Sequence, residues 1–429
     1  MDVAKFRFGI LTAIALTLLT GCADSANWIN GLFPQNHSTS AVFPPTAAAC
    51  SSQAVANQYV VRWKDGTTVV YKGSSRQELL KNVIEPHLGE IEFAEQDQKV
   101  RQPKTPAVVQ TEATVPSDDW GQQIVDAQSA WTQGYTGQGV IVAVIDSGVQ
   151  RDHPQLKNQM FINSGEVGTD LNGRDKSSNG FDDDLNGYID DVSGYDFNLN
   201  SGTVTDGTGH GTHVSGIIGA QHSAGSIHGI AEGVKILPLD FMDNNGSGNI
   251  SDAIRAMSYA AKMGAKVINA SWGGAPCSQN LQKAIIDLGA QGILFVSAAG
   301  NSGENLDTNP EYPAAYGLPT QVTVGASTAR DYMSTYSNFS YTLANLMAPG
   351  DSIISTYPIS TTKSLSGTSM ATPFVTGAAA ILKGARPNAS PSDIKNALLN
   401  SVDSGPFEVS SRGRLNIGKA LTEILKLPQ

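Results

Sequence analysis

Apolar runs and amphipathic stretches alternate along most of the chain after residue 118. Five runs predict strands buried on both faces: GVIVAVIDSGV, VKILPLD, AKVINASW, GILFVSAAGN and TQVTVGAS. Stretches with helical spacing follow several of them: HGTHVSGIIGA, ISDAIRAMSYAAKMG and SQNLQKAIIDLGAQG, with SPSDIKNALLNS and NIGKALTEILK near the end. This alternation predicts an α/β fold for residues 118–429, a three-layer sandwich with a mainly parallel central sheet.

A smaller unit precedes this domain. Residues 57–100 contain two strand patterns, QYVVRW and TTVVYKG, then a helical pattern, SRQELLKNVIEPHL, and a further strand pattern, EIEFAEQDQKV. They predict a small α+β domain. Residues 101–117 are rich in Pro and Thr and predict an exposed linker. Residues 22–56 lack sustained periodicity and predict a flexible tether.

Residues 1–21 have the pattern of a targeting segment. Lys5 and Arg7 precede an apolar run at residues 8–19, which is too short to cross a bilayer core of about 30 Å comfortably. The run ends in Leu-Thr-Gly-Cys, which resembles the lipobox of bacterial lipoproteins and implies a lipid on Cys22. We therefore expect export, with membrane attachment through Cys22, to the bacterial envelope or beyond it. An ordinary signal peptide that contains a cysteine is the alternative.

Charge and cysteine content add two constraints. The chain has 28 Lys and Arg against 39 Asp and Glu, a formal net charge of −11, which argues against nucleic acid as a partner. Two cysteines remain beside Cys22, at positions 50 and 277. Two lone cysteines make no disulfide framework, and the sequence leaves open whether they pair.

Candidate chemistry centres on the stretch LSGTSMATPF, where small residues surround hydroxyls at a predicted helix start. Ser369 at a helix N-terminus could act as a nucleophile. All seven histidines precede it, which excludes the α/β-hydrolase order, where the histidine follows the serine. The base therefore lies upstream. His210 is best placed, with His213 as the alternative, and Asp146 at a strand end could orient it.

Four blocks carry a family resemblance: VIDSGV, HGTHVSG, AAGN and GTSMATP. In this order they resemble the subtilisin-like serine proteases, over residues 118–421. The resemblance implies a serine endopeptidase acting on protein or peptide substrates, in which Asp146 orients His210 and His210 takes the Ser369 proton. It also implies an oxyanion hole formed by the Asn301 side chain and the Ser369 N–H.

The same resemblance predicts substrate contacts. Residues 270–274, ASWGG, resemble the segment that pairs with the substrate main chain, which assigns Ser271, Trp272 and Gly273 to substrate binding; a core position is the alternative for Trp272. Glu311 falls at the base of the first specificity pocket, where a carboxylate would favour Arg or Lys at P1; the peptide bond after Tyr312 is often cis in the family. Phe374 stands where the family commonly has a non-catalytic histidine.

An acidic insertion between Asp146 and His210, NGFDDDLNGYIDD, predicts structural Ca²⁺ binding. Oxygen donors recur at alternate positions, as in the first part of an EF-hand loop. The expected ligands are Asp182, Asp184, Asn186, the Tyr188 carbonyl and Asp190. Ser193 occupies the place of the final bidentate glutamate, for which Asp191 could substitute. A solvated acidic loop without an ion is the alternative.

Residues 57–100 resemble the propeptide of secreted subtilases, which implies that the domain's own propeptide is a partner and that cleavage falls between residues 101 and 118. A lipid on Cys22 would then tether the propeptide, so that maturation either releases the protease or leaves the cleaved parts associated. Two other functions stay open at this point. One is acyl transfer to an amine, which a partner domain would favour, and the other is a catalytically silent binding protein.

Overall fold

A computed structural model describes residues 54–103, 106, 119–274 and 277–428. The predicted signal, the tether up to residue 53, Cys22, Cys50 and most of the linker lie outside these residues. The predictions made for them therefore stay predictions, and whether Cys50 pairs with Cys277 stays open. Within the described residues, no helix is both long and apolar enough to cross a membrane.

The described strands and helices follow the predicted alternation after residue 118. The strands are β1 Ala54–Trp63, β2 Thr68–Lys72, β3 Ile91–Arg101, β4 Ile141–Asp146, β5 Tyr195–Asp196, β6 Lys235–Asp240, β7 Ser247–Asn249, β8 Val267–Ala270, β9 Leu294–Ala298, β10 Gln321–Ser327, β11 Leu346–Pro349, β12 Ile353–Tyr357, β13 Thr361–Leu365, β14 Asp403–Ser404 and β15 Gly413–Arg414. The helices are α1 Arg76–Leu79, α2 Trp120–Ile124, α3 Ala127–Trp131, α4 His210–Gly219, α5 Ile250–Lys262, α6 Gln279–Ala290, α7 Thr368–Ala385, α8 Pro391–Asn400 and α9 Ile417–Ile424.

The central sheet has nine strands in the order β14-β15-β11-β10-β9-β8-β4-β6-β5. Only the β14–β15 pair among them is antiparallel. The carboxyl ends of β4, β8 and β9 therefore lie along one edge of the sheet. Because loops after parallel strands gather at that edge, it is where side chains for chemistry can meet.

Two apolar cores cover the two faces of this sheet. Along β4, Val142 and Val144 face one core, while Ala143 and Ile145 face the other, as the two-residue period of a strand requires. Helices α4, α7, α8 and α9 contribute to the first core and helices α5 and α6 to the second. The predicted three-layer sandwich is thus confirmed.

The small N-terminal unit has its own core and also joins the larger domain. Strands β1, β2 and β3 form an antiparallel sheet that continues into β7, in the order β2-β1-β3-β7. The predicted helix is irregular, with α1 followed by a π-helical turn at Leu80–Ile84 and a 3₁₀ turn at Glu85–His87. Strand β3 is consequently shared between the unit and the rest of the protein.

Candidate active site

Asp146 and His210 form a buried hydrogen-bonded pair. Asp146 is the last residue of β4 and His210 the first of α4, and His210 Nδ1 lies 2.7 Å from Asp146 Oδ1. The main-chain N–H of Ser147 also donates to Asp146 Oδ1, at 2.8 Å. Both side chains are almost fully buried. With Nδ1 fixed by the carboxylate, the second ring nitrogen of His210 is the one that can accept a proton.

Two glycines permit this pair to form. Gly209 immediately precedes α4 with φ +85°, and a Cβ there would lie 2.3 Å from the ring of Tyr357. A Cβ on Gly211 would lie 2.0 Å from the Gly148 carbonyl oxygen. A side chain at residue 211 would push α4 away from the end of β4, and one at residue 209 would collide with Tyr357 on β12. The glycines flanking His210 are therefore needed for the close approach of helix and strand.

His213, the alternative base, has a different environment. Its Nε2 lies 3.1 Å from the Ile353 carbonyl oxygen and 2.9 Å from that of Lys363, so it bridges α4 to the β12–β13 hairpin. Complete burial lowers the pKa of His213 to about 3. A neutral imidazole whose donor nitrogen is taken up by main-chain carbonyls holds the hairpin in place and is poorly placed to serve as a base.

Ser369 lies in the first turn of α7 and is joined to the segment after β8 by two hydrogen bonds. Its Oγ donates to the Ser271 carbonyl oxygen at 3.0 Å, and the Ser271 Oγ donates to the Ser369 carbonyl oxygen at 2.9 Å. Within the described part of the chain, the buried His210 Nε2 has no hydrogen-bond partner. For Ser369 to donate to His210 Nε2, its hydroxyl would have to leave the Ser271 carbonyl.

The side chain of Asn301 is oriented by the residue before Ser369. Asn301 Oδ1 accepts hydrogen bonds from the Thr368 N–H at 2.9 Å and from the Thr368 hydroxyl at 2.8 Å. A Cβ on Gly367 would lie 3.0 Å from Asn301 Nδ2 and 3.7 Å from the Ser369 nitrogen. The amide nitrogen of Asn301 and the N–H of Ser369 therefore border the same small space, the arrangement that an oxyanion hole needs.

The segment after β8 pairs with the end of β3. The Gly273 N–H donates to the Arg101 carbonyl at 3.3 Å, while the Gln102 N–H donates to the Gly246 carbonyl at 2.8 Å. The Trp272 indole points the other way. It is fully buried against Phe241 and donates to the Ile145 carbonyl. Its side chain therefore packs the core, and a substrate contact at this position would come from the main chain.

Glu311 lies beside the oxyanion loop. A Cβ on Gly300 would lie 2.5 Å from Glu311 Oε2, and Glu311 Oε1 accepts from the Ser302 hydroxyl at 2.8 Å. On the opposite side, a Cβ on Gly273 would lie 3.3 Å from the Tyr312 carbonyl oxygen. The Tyr312–Pro313 peptide bond is cis, as expected. The Glu311 carboxylate thus packs closely against Gly300, where a side chain would collide with it.

Comparison with known proteins agrees with this geometry. The Peptidase_S8 model, the subtilase family, matches residues 137–415. Thermitase from Thermoactinomyces vulgaris is 36% identical over 308 residues, 71% of this chain and 96% of the relative. Subtilisin DY from Bacillus licheniformis is 33% identical over 312 residues, 72% of this chain and 98% of the relative. The chain belongs to the subtilase family.

A solved structure supports the same assignment. The crystal structure of a cold adapted subtilisin-like serine proteinase matches with a TM-score of 0.53 and 31% identity, covering 66% of this chain and 90% of that one. The predicted fold and the predicted serine endopeptidase class are therefore confirmed for this subtilase.

The acidic insertion of the subtilase brings together a different set of carboxylates from the predicted ligands. Carboxylate oxygens of Glu166, Asp184 and Asp191 lie within 4.8 Å of one another; we call these three the acidic cluster. Asp184 belongs to the expected set and Asp191 is the residue expected to substitute for the final glutamate, whereas Glu166 was not expected. The Asp182 carboxylate accepts from the N–H groups of residues 186 and 187, and the Asp190 carboxylate accepts from the N–H of residue 180.

Asn186, another expected ligand, is also hydrogen-bonded within the loop. The Asn186 side chain accepts from the Tyr188 N–H and donates to Asp191 Oδ2. Sequence reasoning missed Glu166 altogether, because it precedes the repeating pattern and reaches the acidic cluster only through the fold. It also missed Thr368, whose contact with Asn301 spans 67 positions and leaves no local signal beyond a second hydroxyl beside Ser369.

Proposed function

We propose that this subtilase hydrolyses peptide bonds through Asp146, His210 and Ser369. The observation that carries the proposal is the buried 2.7 Å contact between His210 Nδ1 and Asp146 Oδ1. It fixes the tautomer in which Nε2 can accept a proton. Ser369 supplies the hydroxyl at the start of α7, where its own N–H can face a developing negative charge.

The reaction follows from these positions. His210 Nε2 takes the Ser369 proton as Oγ attacks the substrate carbonyl carbon, and Asp146 stabilises the resulting imidazolium. The Asn301 amide and the Ser369 N–H donate to the oxyanion. Collapse of the tetrahedral intermediate breaks the peptide bond; His210 protonates the leaving amine, and an acyl-enzyme remains. Water, deprotonated by His210, then hydrolyses the ester and restores Ser369.

A fluorophosphonate probe tests this assignment. The probe should form a covalent bond with Ser369 in the unchanged protein and leave the Ser369→Ala variant unlabelled, as read by mass spectrometry. Absence of labelling in the unchanged protein, also after limited proteolysis to remove the N-terminal unit and with calcium present, would overturn the proposal in favour of a silent binding protein.

We further propose that Glu311 gives the enzyme a preference for Arg or Lys at P1. Support comes from the position of its carboxylate beside Gly300, next to the proposed oxyanion donor Asn301. Gly300 has no side chain that would displace the carboxylate, and Gly273 lies close to Tyr312, the residue after Glu311. A carboxylate at the base of the P1 pocket would favour a cationic substrate side chain through charge-assisted hydrogen bonds.

Replacing Glu311 by glutamine should lower kcat/KM for Arg and Lys substrates by about 10- to 100-fold, because one charged hydrogen bond contributes about 1.5–3 kcal/mol. Values for Phe and Leu substrates should change little. Glu304→Gln, in the same loop with its carboxylate bonded to Asn309, is the matched control. Equal cleavage of Phe, Leu, Arg and Lys peptides by the unchanged enzyme would sink the P1 proposal.

We also propose that Ca²⁺ binds at the acidic cluster and stabilises the insertion. Glu166 and Asp191 are fully buried, and Glu166 Oε2 has no hydrogen-bond partner among the described residues. Burial raises the pKa of both carboxyl groups, and nearby carboxylates raise them further. A divalent cation would offset the repulsion between these buried carboxylates, and carboxylates are ligands that calcium prefers.

Calcium should therefore raise the melting temperature of the Ser369→Ala protein, in which self-digestion is prevented. The Glu166→Gln exchange should abolish both this shift and the calorimetric heat of calcium binding. Asp175→Asn changes an exposed carboxylate of the same insertion that accepts from Ser177, and it should leave both signals intact. The calcium proposal fails if the unchanged protein shows neither heat nor a melting shift.

We propose that the N-terminal unit is an inhibitory propeptide. Glu95 accepts from the N–H groups of Gln279 and Asn280 at the start of α6. Asp97 accepts from the Ser251 N–H and hydroxyl at the start of α5. Arg62 makes an ion pair with Asp287. Carboxylates at helix N-termini are stabilised by the unpaired N–H groups there.

The path of β3 supports the same proposal. Arg101 pairs with Ser247 on one side and with Gly273 on the other, antiparallel to both. Continued by two residues, this pairing would bring Pro103 opposite Ser271, whose carbonyl contacts Ser369. The strand would thus occupy the place of a substrate until the linker is cut.

Maturation should give an active species whose N-terminus falls between residues 102 and 118, while the Ser369→Ala protein stays at full length under the same conditions. N-terminal sequencing of the labelled species measures this directly. Full-length chains as the only active species would contradict the propeptide assignment.

We propose export and lipidation of Cys22 from the pattern of residues 1–22 alone. Metabolic labelling with a fatty-acid analogue should modify the precursor and spare a Cys22→Ala variant. The mass of the fluorophosphonate-labelled species then decides whether the mature protease keeps the anchor. Labelling of both proteins to the same extent would exclude Cys22 as the modified residue.

A further inference from the structure

Asp206 lies between the two elements that carry the Asp146–His210 pair. It precedes His210 by four residues, in the loop that leads into α4. The carboxylate contacts neither member of the pair within the hydrogen bonds of the described residues. Its contacts are instead with the neighbours of both, which makes it a candidate for a residue that acts through others.

One oxygen of this carboxylate joins the Asp146 loop to the approach of α4. Asp206 Oδ1 accepts from the Ser147 hydroxyl at 2.9 Å, from the Thr208 N–H at 3.1 Å and from the Gly209 N–H at 2.7 Å. Ser147 directly follows Asp146. Its hydroxyl also accepts from the Gly211 N–H at 3.1 Å. Ser147 is therefore linked to both neighbours of His210, to Gly211 directly and to Gly209 through Asp206.

The other oxygen holds the first turn of α4. Asp206 Oδ2 accepts from the Thr212 N–H at 2.8 Å and from the Thr212 hydroxyl at 2.6 Å. Three of the five donors to this carboxylate are main-chain N–H groups, which cannot accept. An uncharged amide would turn its NH₂ toward one side or the other and leave at least one such N–H unpaired.

We infer that Asp206 is a positioning residue, whose carboxylate locks the Ser147 loop and the start of α4 together so that His210 stays in register with Asp146. The inference rests on the proposed function, because it needs His210 to act as the base. A shift of His210 by about 1 Å would weaken proton transfer. Substrate binding should change little, because Gly246 and Gly273, which pair with the strand in the proposed place of a substrate, lie outside the Ser147 loop and α4.

The Asp206→Asn exchange should lower kcat by about 10²-fold, the cost of displacing a catalytic group by about 1 Å. KM for a chromogenic peptide should stay within about twofold. The rate of fluorophosphonate labelling of Ser369 should fall in parallel with kcat, since it needs the same base. Asp170→Asn, in which the lost carboxylate accepts from the N–H groups of Asn172 and Arg174, should change none of these.

A second variant keeps the test valid if Asp206→Asn does not fold. Thr212→Val keeps the helix and the N–H but removes one hydroxyl from Asp206 Oδ2, and it should lower kcat several-fold at constant KM. Unchanged kcat in the folded variants overturns the inference, and so does a fall in kcat that comes with a higher KM and a lower melting temperature. Failure of the proposed function is distinct, since the unchanged protein would then remain unlabelled.

Discussion

The Ser369→Ala exchange should lower kcat for peptide hydrolysis by about 10⁶-fold, the scale on which subtilisin loses activity without its nucleophile. The expected loss is large because the hydroxyl, the base and the carboxylate act as one unit. His210→Ala should cost about as much. The double variant should be no slower than either single one, since neither remaining group has a function without the other.

Steady-state assays of each purified variant with a chromogenic peptide measure these losses. Fluorophosphonate titration corrects for traces of active enzyme, which would otherwise mask a residual rate this low. Ser366→Ala makes the same substitution three residues earlier, where the hydroxyl accepts from the Ser352 N–H, and it should keep most of the activity. Retention of more than a tenth of the activity in Ser369→Ala would rule out Ser369 as the nucleophile.

Loss of the Asn301 side chain should produce the second largest effect. We expect Asn301→Ala to lower kcat by about 10²–10³-fold with little change in KM, as known for the oxyanion-hole asparagine of subtilisin. The physical reason is that the amide donates to charge that exists only in the transition state. Thr368 holds Asn301 Oδ1 through two hydrogen bonds, so the nitrogen is already oriented before substrate arrives.

The matched comparison is Asn309→Ala, an amide of the same loop bonded to Glu304. It should leave kcat within about twofold. A rise in KM with unchanged kcat in Asn301→Ala would mean that the side chain binds the ground state, and the oxyanion assignment would then be abandoned.

Local patterns were sufficient for the fold and for the outline of the site. Strand β4 was recognisable because an apolar run ends at Asp146, and β9 because a similar run leads to Gly300 and Asn301. Each residue marks the place where a buried strand reaches the sheet edge. The order of Asp146, His210 and Ser369 then distinguished one protease architecture from others.

The contributions that escaped prediction depend on contacts between distant segments. Glu166 joins Asp184 and Asp191 only when the insertion folds back on itself. The core position of Trp272 was only the alternative to a substrate contact, because its bond to the Ile145 carbonyl and its packing on Phe241 join distant segments. The role of Asp206 depends on how closely α4 approaches β4. None of these contacts has a spacing that a linear pattern can reveal.

The pairing of Arg101 on both of its edges has a consequence for the choice of substrates. A chain held between residues 246–248 and residue 273 must offer free main-chain groups on two sides at once. In a helix, the main-chain N–H and C=O groups are already hydrogen-bonded to one another. In a sheet, they are hydrogen-bonded to a neighbouring strand along at least one edge. On the proposal that a substrate takes the place of β3, the cleft would select by the folding state of its target, sparing compact proteins and accepting unfolded or locally unfolded ones.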